Sequence, residues 1–159
     1  MFGTVLPVIL QIAVLWPMAR IMALDYGTKR VGIAVTDPSQ IIATPLDTIH
    51  PNELFDFLKQ YFAQNPVECI VVGEPKRMNN EPAQAAAGAD QLAAKLAKTF
   101  PEMKIVRVDE RFTSKMAFAA MIEGGLNRKQ RADKATVDRV SATIILQTYM
   151  AEKEMGRGA

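Results

Sequence analysis

Three apolar, strand-forming runs in this chain end at or beside a carboxylate. "IMALDYG" closes on Asp25, "VVGEP" carries Glu74, and "KIVRVDE" ends on Asp109 and Glu110. A fourth acid, Asp138, lies near the start of "KATVDRVSATIILQTY", whose apolar residues recur at helical spacing. A carboxylate at the tip of a buried strand is costly unless hydrogen bonds, a counter-ion or a metal compensates it. Acids converging from distant positions also repel one another unless cations neutralise them. Hard divalent ions suit such oxygen donors, and Mg²⁺ commonly binds one or two carboxylates together with substrate phosphate. Two ions about 4 Å apart can activate a water and stabilise the leaving oxygen of a phosphodiester. The pattern points to Mg²⁺ or Mn²⁺, as a pair of ions held by Asp25, by Asp109 or Glu110, by Asp138 and by Glu74, and to phosphodiester hydrolysis.

Cations accompany these acids. In "DYGTKR", Gly27 lets backbone approach a phosphate, while Lys29 and Arg30 are placed to contact a nucleic-acid strand. The polar loop "LNRKQRAD" adds Arg128 and Lys129 for backbone contacts. Plainer explanations exist for each acid. Asp25 could begin a turn, Glu74 could be a loop residue, and Asp138 could be a first-turn acid favoured by the helix dipole. Asp109 and Glu110 are adjacent, so a strand sends them to opposite faces. Glu110 shares parity with Val106 and Val108, which by themselves do not say which face is the site, and Arg111 could simply be its salt-bridge partner.

Composition narrows the chemistry. The chain has 159 residues, enough for one domain with a sizeable core. His50 is the only histidine, which argues against His-rich zinc sites and Ser–His–Asp or Cys–His mechanisms. Cys69, the only cysteine, sits in the apolar run "CIVVG"; it excludes an internal disulfide and suits a reducing cytoplasm. Net charge is only +2, but residues 104–139 carry nine Lys/Arg against five Asp/Glu. That cationic half suits a phosphate-bearing substrate or a solvated face equally well.

The elements that must position these residues read as a mixed α/β layer fold. Strands are expected at Arg20–Asp25, Val31–Thr36, Ile41–Ile49, 68–73 and 104–110. The first two are joined as a hairpin by "YGTKR". Pro45 assigns the third to a sheet edge, because it cannot donate to a ladder. Helices are expected at 52–64, Glu81–Thr99, 113–123 and Lys134–Lys153, with His50 next to Pro51 introducing the first. The last is expected to present Val137, Val140, Ser141, Ile144, Ile145 and Thr148 on one side. Residues 1–17 are apolar, contain Pro7 and Pro17, and lack a positive leader. They read as an extension upstream of a true start at Met18, with a membrane anchor as the less favoured alternative. Residues 18–153 then form a single domain, followed by a short tail over 154–159.

Taken together, "ALDYGTKRVGIAVTDP", "IVVGEPKRMNN", "VDERFTS" and "KATVDRVSATIILQTY" resemble the YqgF/RuvX family in order and spacing. That resemblance implies a ribonuclease H-like three-layer fold with a five-stranded sheet of order 3-2-1-4-5, strand 2 antiparallel. It implies a nuclease acting on pre-16S rRNA or on a branched DNA junction in the cytoplasm. A junction resolvase would be expected to form a homodimer, which an RNA-trimming enzyme need not. The family's acidic positions fall on Asp25, Glu110 and Asp138, with Asp109 beside them, and "DERFTS" places Arg111, Thr113 and Ser114 near the substrate. Glu74 departs from the apolar residue many members carry there. Two other functions compete with hydrolysis. The hairpin also resembles the phosphate-binding hairpin of sugar-kinase and actin-like ATPases, which need a second such domain. A non-catalytic nucleic-acid-binding module would need only the basic residues.

Overall fold

A computed structural model describes residues 19–74, 83–109 and 119–157. The extension over 1–17, and with it Glu110, Arg111, Thr113 and Ser114, lies outside the described residues. Strand β1 (Arg20–Tyr26) forms the expected hairpin with β2 (Val31–Thr36), and β3 (Ala43–Ile49) follows on the far side of β2. A single 3₁₀ turn (Pro51–Glu53) leads into helix α1 (Leu54–Gln64). Next come β4 (Val67–Glu74), α2 (Ala83–Thr99) and β5 (Lys104–Asp109). Residues 119–123 are helical, and the chain continues through the short α3 (Arg128–Ala132) and the long α4 (Lys134–Arg157).

The sheet order is β3-β2-β1-β4-β5. Strand β1 pairs antiparallel with β2 and parallel with β4, which pairs parallel with β5. This is the topology the sequence implied. Its consequence for chemistry is direct, because parallel β1, β4 and β5 bring their carboxyl ends to one edge. Asp25, Glu74 and Asp109 all reach that edge, the last two as register partners.

Strand alternation divides the core in two. Met22, Leu24, Val31, Ile33, Val35, Ile70 and Val72 point to the face covered by α1 and α2. Ile21, Ala23, Ala34, Cys69, Val71 and Val108 point to the face covered by α4. Burial pushes the Cys69 thiol above its ordinary range, and the Tyr149 hydroxyl approaches Sγ at 3.9 Å. Cys69 is therefore a core residue, as its apolar neighbours suggested.

Four details differ from the sequence expectation, the first being that the run read as the polar loop "LNRKQRAD" contains helix α3, capped by Asn127. Strand β3 begins at Ala43 rather than Ile41, because Asp37 Oδ1 accepts the amide N–H groups of Ile41 and Ile42, each at 2.7 Å. The side of α4 that packs on the sheet is Ala142, Ile145, Leu146 and Tyr149; of the expected stripe Ile145 belongs to it, and Ser141 and Ile144 are buried as well. Helix α4 lies broadly across β1, β2 and β3, so it buries more than one narrow stripe. It also continues past Lys153 to Arg157, four residues into the expected tail. Two smaller expectations hold. Pro45 sits on edge strand β3, and His50 caps the 3₁₀ turn by accepting the Asn52 N–H at Nδ1.

Asp37 offers a pH test of the β2–β3 connection. The Ile42 amide, helped by those of Ile41 and Ser39 and opposed by slight burial, holds its carboxyl below the ordinary carboxylate range. A carboxylate of lowered pKa contributes stability above its unfolded pKa, about 3.9, and that stability is lost as pH falls through the folded value. Asp37→Asn should therefore lower the urea midpoint at neutral pH. The gap from wild type should close as the pH drops below the ordinary carboxylate range, and a gap independent of pH would contradict this account.

Candidate active site

Asp25 and Asp138 are 113 positions apart in the sequence, yet one contact brings them together. Asp25 on β1 is the register partner of Gly32 on β2, and directly opposed residues of an antiparallel pair present the same face. That face is the one α4 covers, since Ile21 and Ala23 share parity with Asp25. At Gly32 the helix backbone comes so close that no side chain fits. A Cβ there would overlap the Asp138 carbonyl oxygen and stand 2.5 Å from the carbonyl carbon and 3.1 Å from the Asp138 Cβ. The missing side chain at position 32 thus seats the second turn of α4 next to Asp25.

The start of α4 is fixed independently. Asp133 precedes the helix, and its Oδ2 accepts the Thr136 N–H at 3.2 Å and the Thr136 hydroxyl at 2.6 Å. The Thr136 hydroxyl, with help from nearby amides, holds the Asp133 carboxyl below its ordinary range. From the other side, the Thr48 hydroxyl on β3 donates to the Ala135 carbonyl at 2.7 Å. Asp138 is carried into place by a capped helix end tied to two strands.

The β1–β2 hairpin closes the site. The Gly27 N–H donates to the Arg30 carbonyl at 2.9 Å, and a Cβ on Gly27 would stand only 2.8 Å from that oxygen. Glycine therefore permits the tight turn that brings Lys29 and Arg30 back over the strand end. Asp25, Tyr26, Gly27, Thr28, Lys29, Arg30 and Asp138 line a cleft of about 300 Å³.

Arg30 lines the cleft and has a partner that the sequence did not suggest. Its Nε donates to Asp138 Oδ2 at 2.6 Å, so its guanidinium sits on a candidate acid. Lys29 is exposed at the cleft. Arg128 and Lys129 lie on the exposed surface of α3 and do not line the cleft. Tyr26 and Thr28 do line it and were not singled out from sequence. Gly32 was missed as well, although an isolated glycine inside a strand pattern is itself a sign of close backbone approach.

The donor set fits a hard divalent cation. Two carboxylates share one face and one cleft, and an arginine already supplies positive charge to one of them. Among the described residues no group of three or more His, Cys, Asp or Glu side chains converges as a ready metal cage. Two carboxylates with the remaining positions left to water or phosphate is the coordination Mg²⁺ commonly takes. No helix among the described residues is long and apolar enough to cross a membrane.

Comparison with known proteins gives consistent results. A protein of Christiangramia forsetii named "Putative pre-16S rRNA nuclease" is 56% identical over 135 residues, covering 85% of this chain and 100% of that protein. A Flavobacterium johnsoniae protein of the same name is 52% identical over 136 residues, covering 86% of this chain and 99% of its own. Among solved structures, Thermus thermophilus RuvC aligns over 85% of this chain and 96% of its own, at 14% identity and a TM-score of 0.49. Residues 19–152 match the RuvX family, described as Holliday junction resolvase, and the chain belongs to that family.

Proposed function

We propose that this chain is a metal-dependent endonuclease that hydrolyses phosphodiester bonds in structured nucleic acid, with the 5′ end of pre-16S rRNA as its substrate. The observation that carries this reading is the meeting of Asp25 and Asp138 at one cleft beneath a cationic hairpin. The names of the half-identical relatives favour rRNA over a DNA junction. The family description keeps junction cleavage as the second reading, and that reaction would bring a homodimer with it. The proposed setting is the cytoplasm, consistent with a single buried, reduced cysteine.

In this reading Asp25, Asp138 and Glu110 would hold the metal. Glu110 is included because it shares sequence parity with Val106 and Val108, and Val108 packs on the face that α4 covers. Glu74, at the end of β4, is proposed as a further ligand. When bound, a divalent cation makes water a stronger nucleophile and stabilises charge on the leaving oxygen. The chain's own residues orient the strand. Gly27 lets the phosphate approach the hairpin backbone, and Lys29 offsets phosphate charge from the exposed side of the cleft. Arg30 holds Asp138 in place and stands in the cleft where it can also contact a substrate phosphate. Arg111 and Ser114 are proposed as further substrate contacts, with Arg128 and Lys129 meeting the backbone beyond the cleft.

Two measurements test this. Cleavage of a 5′-extended 16S precursor fragment and of a four-way DNA junction should be compared in Mg²⁺, in Mn²⁺ and with chelator. Asp25→Asn and Asp138→Asn should each lower Mg²⁺-dependent cleavage at least about 100-fold while keeping a native circular dichroism spectrum. Wild-type activity in either variant would remove that acid from the mechanism. Separately, Arg30→Gln should tighten Mn²⁺ binding in calorimetry by up to about 5-fold, because the competing cation on Asp138 is gone. Unchanged or weaker binding would show that Arg30 does not compete for the site. Gly32→Ala should cost about 2–3 kcal/mol in urea denaturation by pushing α4 off β2. A neutral effect would mean that the close approach to Asp138 is not a constraint.

A further inference from the structure

A second cavity of about 330 Å³ opens at the same sheet edge but on the other face, and its lining is unlike that of the acidic cleft. Tyr26 lines both. It follows Asp25 in β1, so alternation sends its ring to the side covered by α1 and α2 while the Asp25 carboxylate goes to the α4 side. Phe55, at the start of α1, also lines this cavity, its ring parallel to that of Phe100 with centroids 6.4 Å apart and Lys95 Nζ 4.2 Å from its own centre. Buried Leu54 and Leu92 complete the apolar lining, and the exposed carboxamides of Asn52 and Gln91 lie at the rim.

The Tyr26 ring is held in place by a backbone. A Cβ at Gly88 would stand 2.5 Å from Tyr26 Cε1, so the ring rests directly on helix α2 at the one position without a side chain. The half-buried Tyr26 ring thus shares one cavity with Phe55, a cation and two groups that both donate and accept hydrogen bonds. Flat faces for stacking, amides able to read a base edge and a cation beside the ring are what recognition of an unpaired nucleobase requires. The cavity falls at the lower end of the size range of small-ligand sites, about 300–1,000 Å³.

We propose that this cavity is a base-binding subsite, in which a nucleobase unpaired from its partner stacks on Tyr26. Asn52 and Gln91 contact its edge, and Lys95 supplies positive charge. The placement of that base beside the cleaved bond rests on the nuclease reading; the binding itself does not. The consequence is a substrate class. The strand must be single-stranded or easily unstacked at the nucleotide beside the acidic cleft, because a base locked in a duplex cannot enter.

The test uses the full chain with chelator present, so that binding is scored without cleavage. Single-stranded RNA and DNA 12-mers carrying 5-iodouracil should cross-link, on long-wavelength irradiation, to the peptides containing Tyr26 or Phe55. Fluorescence anisotropy should show Tyr26→Leu weakening single-strand binding about 5-fold or more, the low end of the loss expected for one stacked base. Lys95→Met and Gln91→Ala, both at exposed positions, should weaken it in the same direction without altering the fold. Affinity for a fully paired RNA duplex of equal length should stay unchanged in all three. Cross-links confined to other peptides, or wild-type single-strand affinity in Lys95→Met and Gln91→Ala, would overturn the subsite. Cross-linking in only one of the two 12-mers would assign the subsite to that sugar and sustain it. Absence of cleavage in a parallel assay with Mg²⁺ and with Mn²⁺, cross-linking being retained, would sink the nuclease reading and leave the subsite standing.

Discussion

A helix backbone lying directly on a strand backbone is the constraint on which the candidate site depends. At Gly32 there is no side chain to keep α4 away from β2, and the Asp138 peptide fills that space. Because Gly32 is also the register partner of Asp25, the same contact that docks the helix sets one acid beside the other. Packing and site geometry are therefore one feature. Any larger residue at position 32 acts on both, and α4 cannot shift along the sheet without carrying Asp138 with it.

Two anchors convert that contact into a fixed geometry. The Asp133 cap defines where α4 begins, and the Thr48 hydroxyl ties its first turn to the edge strand. The hairpin then supplies charge. Arg30 is close enough to Asp138 for a charge-assisted hydrogen bond, while Lys29 remains at the solvent side. An acid that would otherwise be half-desolvated and uncompensated gains a partner from an element more than a hundred residues away in the chain. This answers part of the cost that carboxylates at a sheet edge incur.

Strand alternation gives the same edge two characters. Asp25 and Tyr26 are neighbours in the chain, yet one faces α4 and an acidic cleft and the other faces α2 and an aromatic cavity. A glycine makes room on each side, Gly32 for a helix peptide and Gly88 for a tyrosine ring. The sheet thus separates two chemistries by no more than its own thickness. That separation suits the proposed reading of hydrolysis on one side and recognition on the other.

Much of this was legible in the residues alone. The strand runs, the Pro45 edge, the "DYGTKR" hairpin and the burial of Cys69 follow from apolar patterning and turn chemistry, which are local properties. The carboxyl ends of β1, β4 and β5 could also be expected at one edge, since the crossovers between them are helical and make the strands parallel. Local patterns could not say that Arg30 would turn to Asp138, because an ion pair spanning 108 positions depends on where two elements dock. Nor could they identify Ala142, Leu146 and Tyr149 as the buried side of α4, which depends on how broadly that helix covers the sheet. The sequence by itself determined which acids stand at strand ends and what chemistry they suit. Only tertiary structure decided that Asp138 meets Asp25, because that meeting is made by the space a single glycine leaves between a strand and a helix.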